Sequence, residues 1–293
     1  MRVLVAGSTG VIGRSLVPLL TAVGHEVVEV SRKHGTDLLD RDAVRRAVRQ
    51  AAPDAVVHVA TAIPAAINPR TMARDFALTN RLRTEGLSNL IDAAPGVRLV
   101  VQGLAYPYRH GEGPADEDTP LLAAPPRQFA SSLAALTELE RLTGQADGLV
   151  LRFGHLYGPG TAFDAHGSVT AQIRQGKMPI VGRGESVFSF THVHDAATAI
   201  VASLDRDVTG ALNVVDDDPA PVYEWLPAVA EMLGAPAPRR IPVFAARLVV
   251  GGWGVTFMNE LRGAANTRAR LRLDWRPRHA TWRRGLASEL VAA

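Results

Sequence analysis

The chain has 293 residues, 47% of them hydrophobic, and a formal net charge of +3, enough to bury the core of one large α/β domain or of a nucleotide-binding domain with a smaller partner. The absence of cysteine excludes disulfides, thiolate metal sites and a cysteine nucleophile. No charged leader followed by a long apolar run opens the chain, which reads as cytoplasmic, and the apolar stretch Leu248 to Met258 is too short and glycine-rich to span a bilayer, which takes roughly 20 residues.

In chain order, strands are expected at "RVLVA" (2 to 6), "EVVEV" (26 to 30), "AVVHVA" (55 to 60), "VRLVVQ" (97 to 102) and "GLVLRF" (148 to 153). Between them lie helical patterns: Val11 to Val23 closed by Gly24, Arg41 to Ala51 behind an Asp40 cap, Ala77 to Ala94, and Arg127 to Leu142. Apolar strands separated by helices imply a doubly wound parallel sheet covered on both faces. A helix is expected from about Asp195 and a further strand at 210 to 215. The intervening and following glycine- and proline-rich segments read as a smaller C-terminal substrate domain. The expected division is 1–157 with 189–217 for nucleotide binding, and 158–188 with 218–293 for substrate.

Directly after the first strand comes "GSTGVIG". Gly7, Gly10 and Gly13 answer the needs of a phosphate-binding turn: a sharp bend, close approach of the backbone to a pyrophosphate, and tight packing of helix on strand. Thr9, Val11 and Ile12 share this turn, and the helix that follows offers free N–H groups and its positive dipole end. The second strand ends in "VSRKHG", without the acid that would take the ribose 2'-hydroxyl of NAD. Ser31, Arg32 and Lys33 suit the 2'-phosphate of NADP instead, with NAD as the alternative.

Read together, "GSTGVIG", "TDLLDRDAV", "PDAVVHVAT", "NRLRTEGLSNLIDAA", "LRFGHLYGPG", "FSFTHVHDAATAI", "GALNVVDDDP" and "RLDWRP" resemble the extended short-chain dehydrogenase/reductases, more narrowly the NAD-dependent epimerase/dehydratase group, over essentially the whole chain. The resemblance implies a Rossmann domain binding NAD(P), with Asp37 and Leu38 by the adenine, Ala60 beside the phosphates, and Tyr157 and Pro159 near the nicotinamide. It also implies a serine or threonine after a central strand and a Tyr-x-x-x-Lys pair on the next helix. Neither is present. Gln128 and Ser132 fall at the tyrosine and lysine positions, Gly103 and Leu104 at the hydroxyl site, and none of the four tyrosines precedes a lysine by four residues.

Substitute proton-transfer groups are sought at the strand ends, where such a sheet opens its crevice. The loop after "VRLVVQ" delivers Tyr106, Tyr108 and His110, and "GLVLRF" leads into His155; Tyr106, Tyr108 and His155 are the catalytic candidates, Tyr106 first because it lies nearest a strand end. His192 and His194 alternate as a metal pair would, but Asp195 reads as a helix cap and no metal is expected. Trp253, Phe257 and Met258 suit an apolar pocket or core. Eight arginines between Arg262 and Arg284, with Asp274 among them, read as a solvated surface partly paired with acids elsewhere.

The expectation is an NAD(P)-dependent oxidoreductase or epimerase/dehydratase-like enzyme for a small carbonyl or alcohol substrate, with non-standard catalytic residues. The alternatives are a redox-silent isomerase, dehydratase or cyclase, and a non-catalytic NADP-binding sensor or scaffold. A small-molecule substrate is expected, with no nucleic acid or membrane partner; a homodimer is compatible.

Overall fold

The computed structural model describes residues 1–291, so the last two positions of the expected 218–293 segment lie outside the described residues. Six strands form the central sheet: β1 (Arg2–Ala6), β2 (Glu26–Val30), β3 (Ala55–His58), β4 (Arg98–Leu104), β5 (Leu149–Phe153) and the edge strand Gly210–Val214. They run all parallel in the order Gly210–Val214, β5, β4, β3, β1, β2. The strand order reverses between β1 and β3, the position where a doubly wound sheet opens its ligand crevice.

Alternation along β1 assigns the two faces. Val3 and Val5 pack with Ile12, Leu16 and Leu20 of α1 (Val11–Ala22) and with Ala196 and Ile200 of helix Val193–Leu204. Leu4 and Ala6 face the other way, onto Val44 and Val48 of α2 (Arg41–Ala51). Asp40 caps α2 by accepting from the backbone N–H of Asp42 and Ala43, each at 3.0 Å, and Gly24 follows α1 at φ +88°.

The helix expected over Ala77 to Ala94 is present as one continuous run, α4 (Ala77–Arg81), a π turn Leu82–Gly86 and α5 (Leu87–Ala93), preceded across Phe76 by the short α3 (Met72–Asp75). A π turn inserts a residue into the helical phase and is often found beside functional sites. α6 (Arg127–Gln145) follows, its Leu139 on the sheet and its Phe129, Leu133 and Leu136 in a second core. That second core gathers Phe188, Phe190, Trp225, Trp253 and Trp282 under three two-stranded ladders: His155–Tyr157 with Phe190–His192, Val187–Phe188 with Ala220–Pro221, and Ile180–Val181 with Arg240–Ile241.

Several of the C-terminal arginines meet acids elsewhere, as expected: Arg268 binds Asp118, Arg270 binds Asp217 and Arg283 binds Glu224. No helix among the described residues is long and apolar enough to cross a membrane.

Candidate active site

Three glycines shape the crevice between β1 and β3. Gly7 adopts φ +99°, and a Cβ there would lie 2.6 Å from the Ala60 Cα, so the turn can follow β3 this closely only as glycine. A Cβ on Gly13 would stand 2.3 Å from the Gly7 carbonyl oxygen, and one on Gly10 3.2 Å from the same atom. α1 starts from Gly10 with no side-chain cap, leaving its first-turn N–H groups to a ligand. The Ser8 hydroxyl, which the motif did not single out, is buried in this loop without a partner. Thr9, Val11 and Ile12 lie in the same turn.

Beyond β2, Ser31 caps a single 3₁₀ turn, accepting from the His34 N–H at 3.3 Å. The turn leaves Arg32 and Lys33 exposed, with no carboxylate in reach among the described residues. Asp37 is exposed and accepts from the Leu39 N–H, while Leu38 is buried where α5 begins, its carbonyl accepting from Asn89 at 2.9 Å. The Tyr157–Gly160 loop reaches the far side of the crevice, where a Cβ on Gly160 would meet the Arg14 guanidinium of α1 at 2.4 Å and Pro159 is exposed. Tyr157 itself turns away: its ring is buried in the second core, its hydroxyl pressed against Gly285. A glycine cradle, free helix N–H groups and unpaired cations at the β2 end thus fit a dinucleotide bearing a 2'-phosphate.

The catalytic candidates fare differently. Tyr106 sits half-buried just past β4, its ring stacked on His155 at 4.8 Å and edge-on to Phe257 at 6.4 Å. Burial raises its pKa, and the nearby Arg83 charge opposes that rise. His155 is sandwiched between Tyr106 and Phe188, whose ring centroid lies 3.8 Å away, and its Nδ1 is 3.2 Å from the Ser189 carbonyl. Burial pushes its pKa down to about 3. His155 is therefore neutral near pH 7, and its one N–H, at Nδ1, is given to the Ser189 carbonyl, so the ring serves as a platform for Tyr106. Tyr108 is withdrawn altogether: it is fully buried, donates to Asn213 Oδ1 and accepts from Arg152 at 3.1 Å. A hydroxyl so committed cannot serve a substrate. His110 lies exposed on the Glu260 carbonyl.

The positions of the missing motif are filled by polar, non-titrating groups. Gln128 lies against Gly251, where helix Val243–Asn259 kinks at φ +70°; a Cβ there would meet the Gln128 Nε2 at 2.4 Å. Ser132 is fully buried, and Asn80 Nδ2 approaches its hydroxyl at 3.5 Å. Gly103 and Leu104, expected in a loop, continue β4 instead, and a Cβ on Gly103 would stand 2.6 Å from Val150 of β5. Side-chain crowding from the neighbouring strand thus accounts for glycine there.

Two features escaped the sequence reading. Arg83, in the π turn, is 4% exposed, and none of its nitrogens donates to a protein acceptor among the described residues; its Nη1 is buried and unpartnered. His58 at the end of β3 accepts from the Ala60 N–H at Nδ1 and places Nε2 3.0 Å from the Leu82 carbonyl; burial holds its pKa down to about 4, so it is neutral.

Asp195 is not a helix cap. His192 caps helix Val193–Leu204, its Nδ1 accepting from the His194 N–H. The buried Asp195 carboxylate instead accepts from the backbone N–H groups of Arg278 and His279, each at 2.9 Å. His192, Asp195 and His279 bring their ligand atoms within 4.8 Å of one another. Backbone N–H groups occupy His192 Nδ1 and both Asp195 oxygens, and through Asp195 the cluster fastens the C-terminal segment to helix Val193–Leu204.

The NAD dependent epimerase/dehydratase family model matches residues 3–214. The chain is 44% identical to the 3-diazoavenalumate denitrifying reductase of a Streptomyces species, over 99% of this chain and all of that protein. It is 30% identical to the human epimerase family protein SDR39U1 over 86% of this chain and 87% of that one. The crystal structure of human SDR39U1 (isoform 2) with NADPH superposes with a TM-score of 0.76 and 25% identity, each chain fully covered. That of Thermus thermophilus UDP-glucose 4-epimerase with NAD does so at 0.72 and 26%, covering 99% of this chain and 98% of that one.

Proposed function

The chain belongs to the NAD-dependent epimerase/dehydratase family, and we propose that within it the protein is an NADPH-dependent reductase that removes a diazo group from a small organic acid as dinitrogen. One observation carries the reading: the chain combines a glycine turn shaped to fit a dinucleotide with a helix, α6, that carries Gln128 and Ser132 where the family's tyrosine and lysine would handle a substrate proton. Reducing a carbonyl places charge on oxygen and calls for a proton donor. A diazonium carbon makes no such demand, because the leaving group departs as neutral dinitrogen. The balanced conversion is R–N2⁺ + NADPH → R–H + N2 + NADP⁺, in which the cofactor supplies the hydride. The relative named for a denitrifying reduction of a diazo compound supports the same assignment.

The residues of this chain would then hold and exclude rather than transfer protons. Gly7, Gly10, Gly13 and the start of α1 take the pyrophosphate, and Arg32 and Lys33 the 2'-phosphate, which favours NADPH over NADH. Residues 158–188 and 218–291 supply the side of the cleft that covers the substrate. Half-buried Tyr106, Phe257 and Met258 form an apolar wall that keeps water from a reactive diazo carbon.

Carbonyl reduction is the second reading, favoured by the Tyr106 hydroxyl at the end of β4. Tyr106→Phe separates the two. Steady-state NADPH oxidation with an aryl diazonium substrate should stay within about threefold of wild type, because the ring packing is kept and no proton is needed. A fall of roughly 100-fold or more, the scale of a lost general acid, would refute the proton-free reading.

A further inference from the structure

Arg83 is a cost the fold does not repay by itself. A buried guanidinium loses hydration worth several kcal/mol unless an anion replaces it, yet no carboxylate among the described residues reaches Arg83 and none of its nitrogens finds a protein acceptor. It is not an accident of a solvated helix face. Phe76, Asn80, Arg83, Leu87 and Leu90 follow one another at helical spacing and are all buried, so the chain turns Arg83 inward among residues that pack. The π turn places it beside α6, whose Ser132 contacts Asn80, and close enough to Tyr106 for its charge to act on the phenol.

The glycine turn and α1 would serve the pyrophosphate, and the 3₁₀ turn after β2 a 2'-phosphate. Arg83 lies between the ends of β3 and β4, where its charge acts on both His58 and Tyr106, and on the Tyr106 side it borders an aromatic wall. Tyr106 and Phe257 meet edge to face, and Trp253 stands 5.9 Å from Phe257. Flat apolar surfaces suit a conjugated ring, and a guanidinium fork suits a planar carboxylate in two-point contact.

We propose that Arg83 is the anion anchor of the substrate site, holding the carboxylate of an aromatic or conjugated acid whose ring packs against Tyr106 and Phe257. The inference rests on the crevice being the reaction site, and it names the substrate's recognition handle independently of the group that reacts. Any substrate acted on here carries a carboxylate at one end and its reducible centre at the other. The neutral amide or ester of that acid is a poor ligand.

The test is isothermal titration of the NADP⁺-loaded full-length protein with cinnamate and with cinnamamide, which share a shape and differ in charge. Wild type should bind cinnamate about tenfold or more tightly than cinnamamide, the scale of one charge-assisted contact. Arg83→Gln should bind the two alike, Arg83→Lys should keep most of the preference for the anion, and both should bind NADPH within about twofold of wild type. Equal binding of the two ligands by wild type overturns the proposal without recourse to any variant. So does an Arg83→Gln protein that keeps the preference, or one that loses NADPH affinity, which would assign Arg83 to the cofactor. Neither probe carries a diazo group, so a failure to release dinitrogen in turnover assays leaves this result standing.

Discussion

Gly7→Ala should abolish nucleotide binding. Gly7 holds φ +99°, a region that costs an L-residue about 1–2 kcal/mol. A methyl group there would also stand 2.6 Å from both the Cα and N of Ala60 and 2.8 Å from the Val59 carbonyl carbon. These are backbone atoms of β3 and its exit, which cannot swing aside as the end of a side chain can. The glycine turn must therefore move away from β3, and the cradle proposed for the cofactor phosphates moves with it. We expect NADPH affinity to fall by more than about 100-fold, equivalent to roughly 3 kcal/mol, with a stability loss of about 2–4 kcal/mol. Titration with NADPH reads the first and chemical denaturation the second. Gly144→Ala is the matched control. Gly144 is helical, and nothing lies within 4 Å of a Cβ built there, so that variant should bind NADPH normally and be stabilised by up to about 1 kcal/mol. Normal NADPH binding by Gly7→Ala would remove the glycine turn from the cofactor site.

The second large effect concerns stability and should spare the site. Arg152 on β5 forms a two-point ion pair with Glu140 of α6 at 2.7 and 2.8 Å, and it donates to the Tyr108 hydroxyl and the Glu117 carbonyl. Its side chain is 7% exposed. Burial works against the charge, but Glu140 and Tyr108 outweigh it and hold the guanidinium pKa above its ordinary value. Arg152→Met leaves Glu140 without its partner and Tyr108 without a donor. We expect a loss of about 3 kcal/mol by denaturant unfolding, with NADPH affinity unchanged. Adding Glu140→Leu should recover part of that loss, because the stranded carboxylate is then gone. A double variant no more stable than Arg152→Met would mean that the ion pair is not the origin of the effect.

Much of the fold was legible because its signals are local and repeat. Five expected strands and the returning strand near residue 210 are present, since continuous runs such as Val3–Val5 and Val56–Val57 announce a sheet buried on both faces. The glycine turn was legible for the same reason: three steric demands fall within seven residues. The β4 boundary was less so. Nothing local says that Gly103 is glycine because Val150 of a strand nearly 50 positions later occupies its Cβ space. Asp195 misled because a carboxylate at a helix start resembles a cap, whereas its partners, Arg278 and His279, arrive from the far end of the chain. Tyr108 and His155 were misplaced because position near a strand end does not fix which way a ring turns. Arg83 had a visible signal, an arginine in phase with Phe76, Leu87 and Leu90, but charged residues on a helix are ordinarily taken for its wet face. Only burial reveals it as an exception.

The proposed reaction delivers hydride to a diazonium carbon without help from a protein proton donor. The most direct measurement incubates the protein with 3-diazoavenalumate and NADPH deuterated at either face of C4, following headspace dinitrogen and the position of the label together. One dinitrogen should be released per NADPH oxidised, with one deuterium at the carbon that lost nitrogen, from one of the two labelled cofactors only, and Tyr106→Phe should give the same product. Dinitrogen release without deuterium at that carbon, or NADPH oxidation that leaves the diazo group in place, would contradict the proposed reaction.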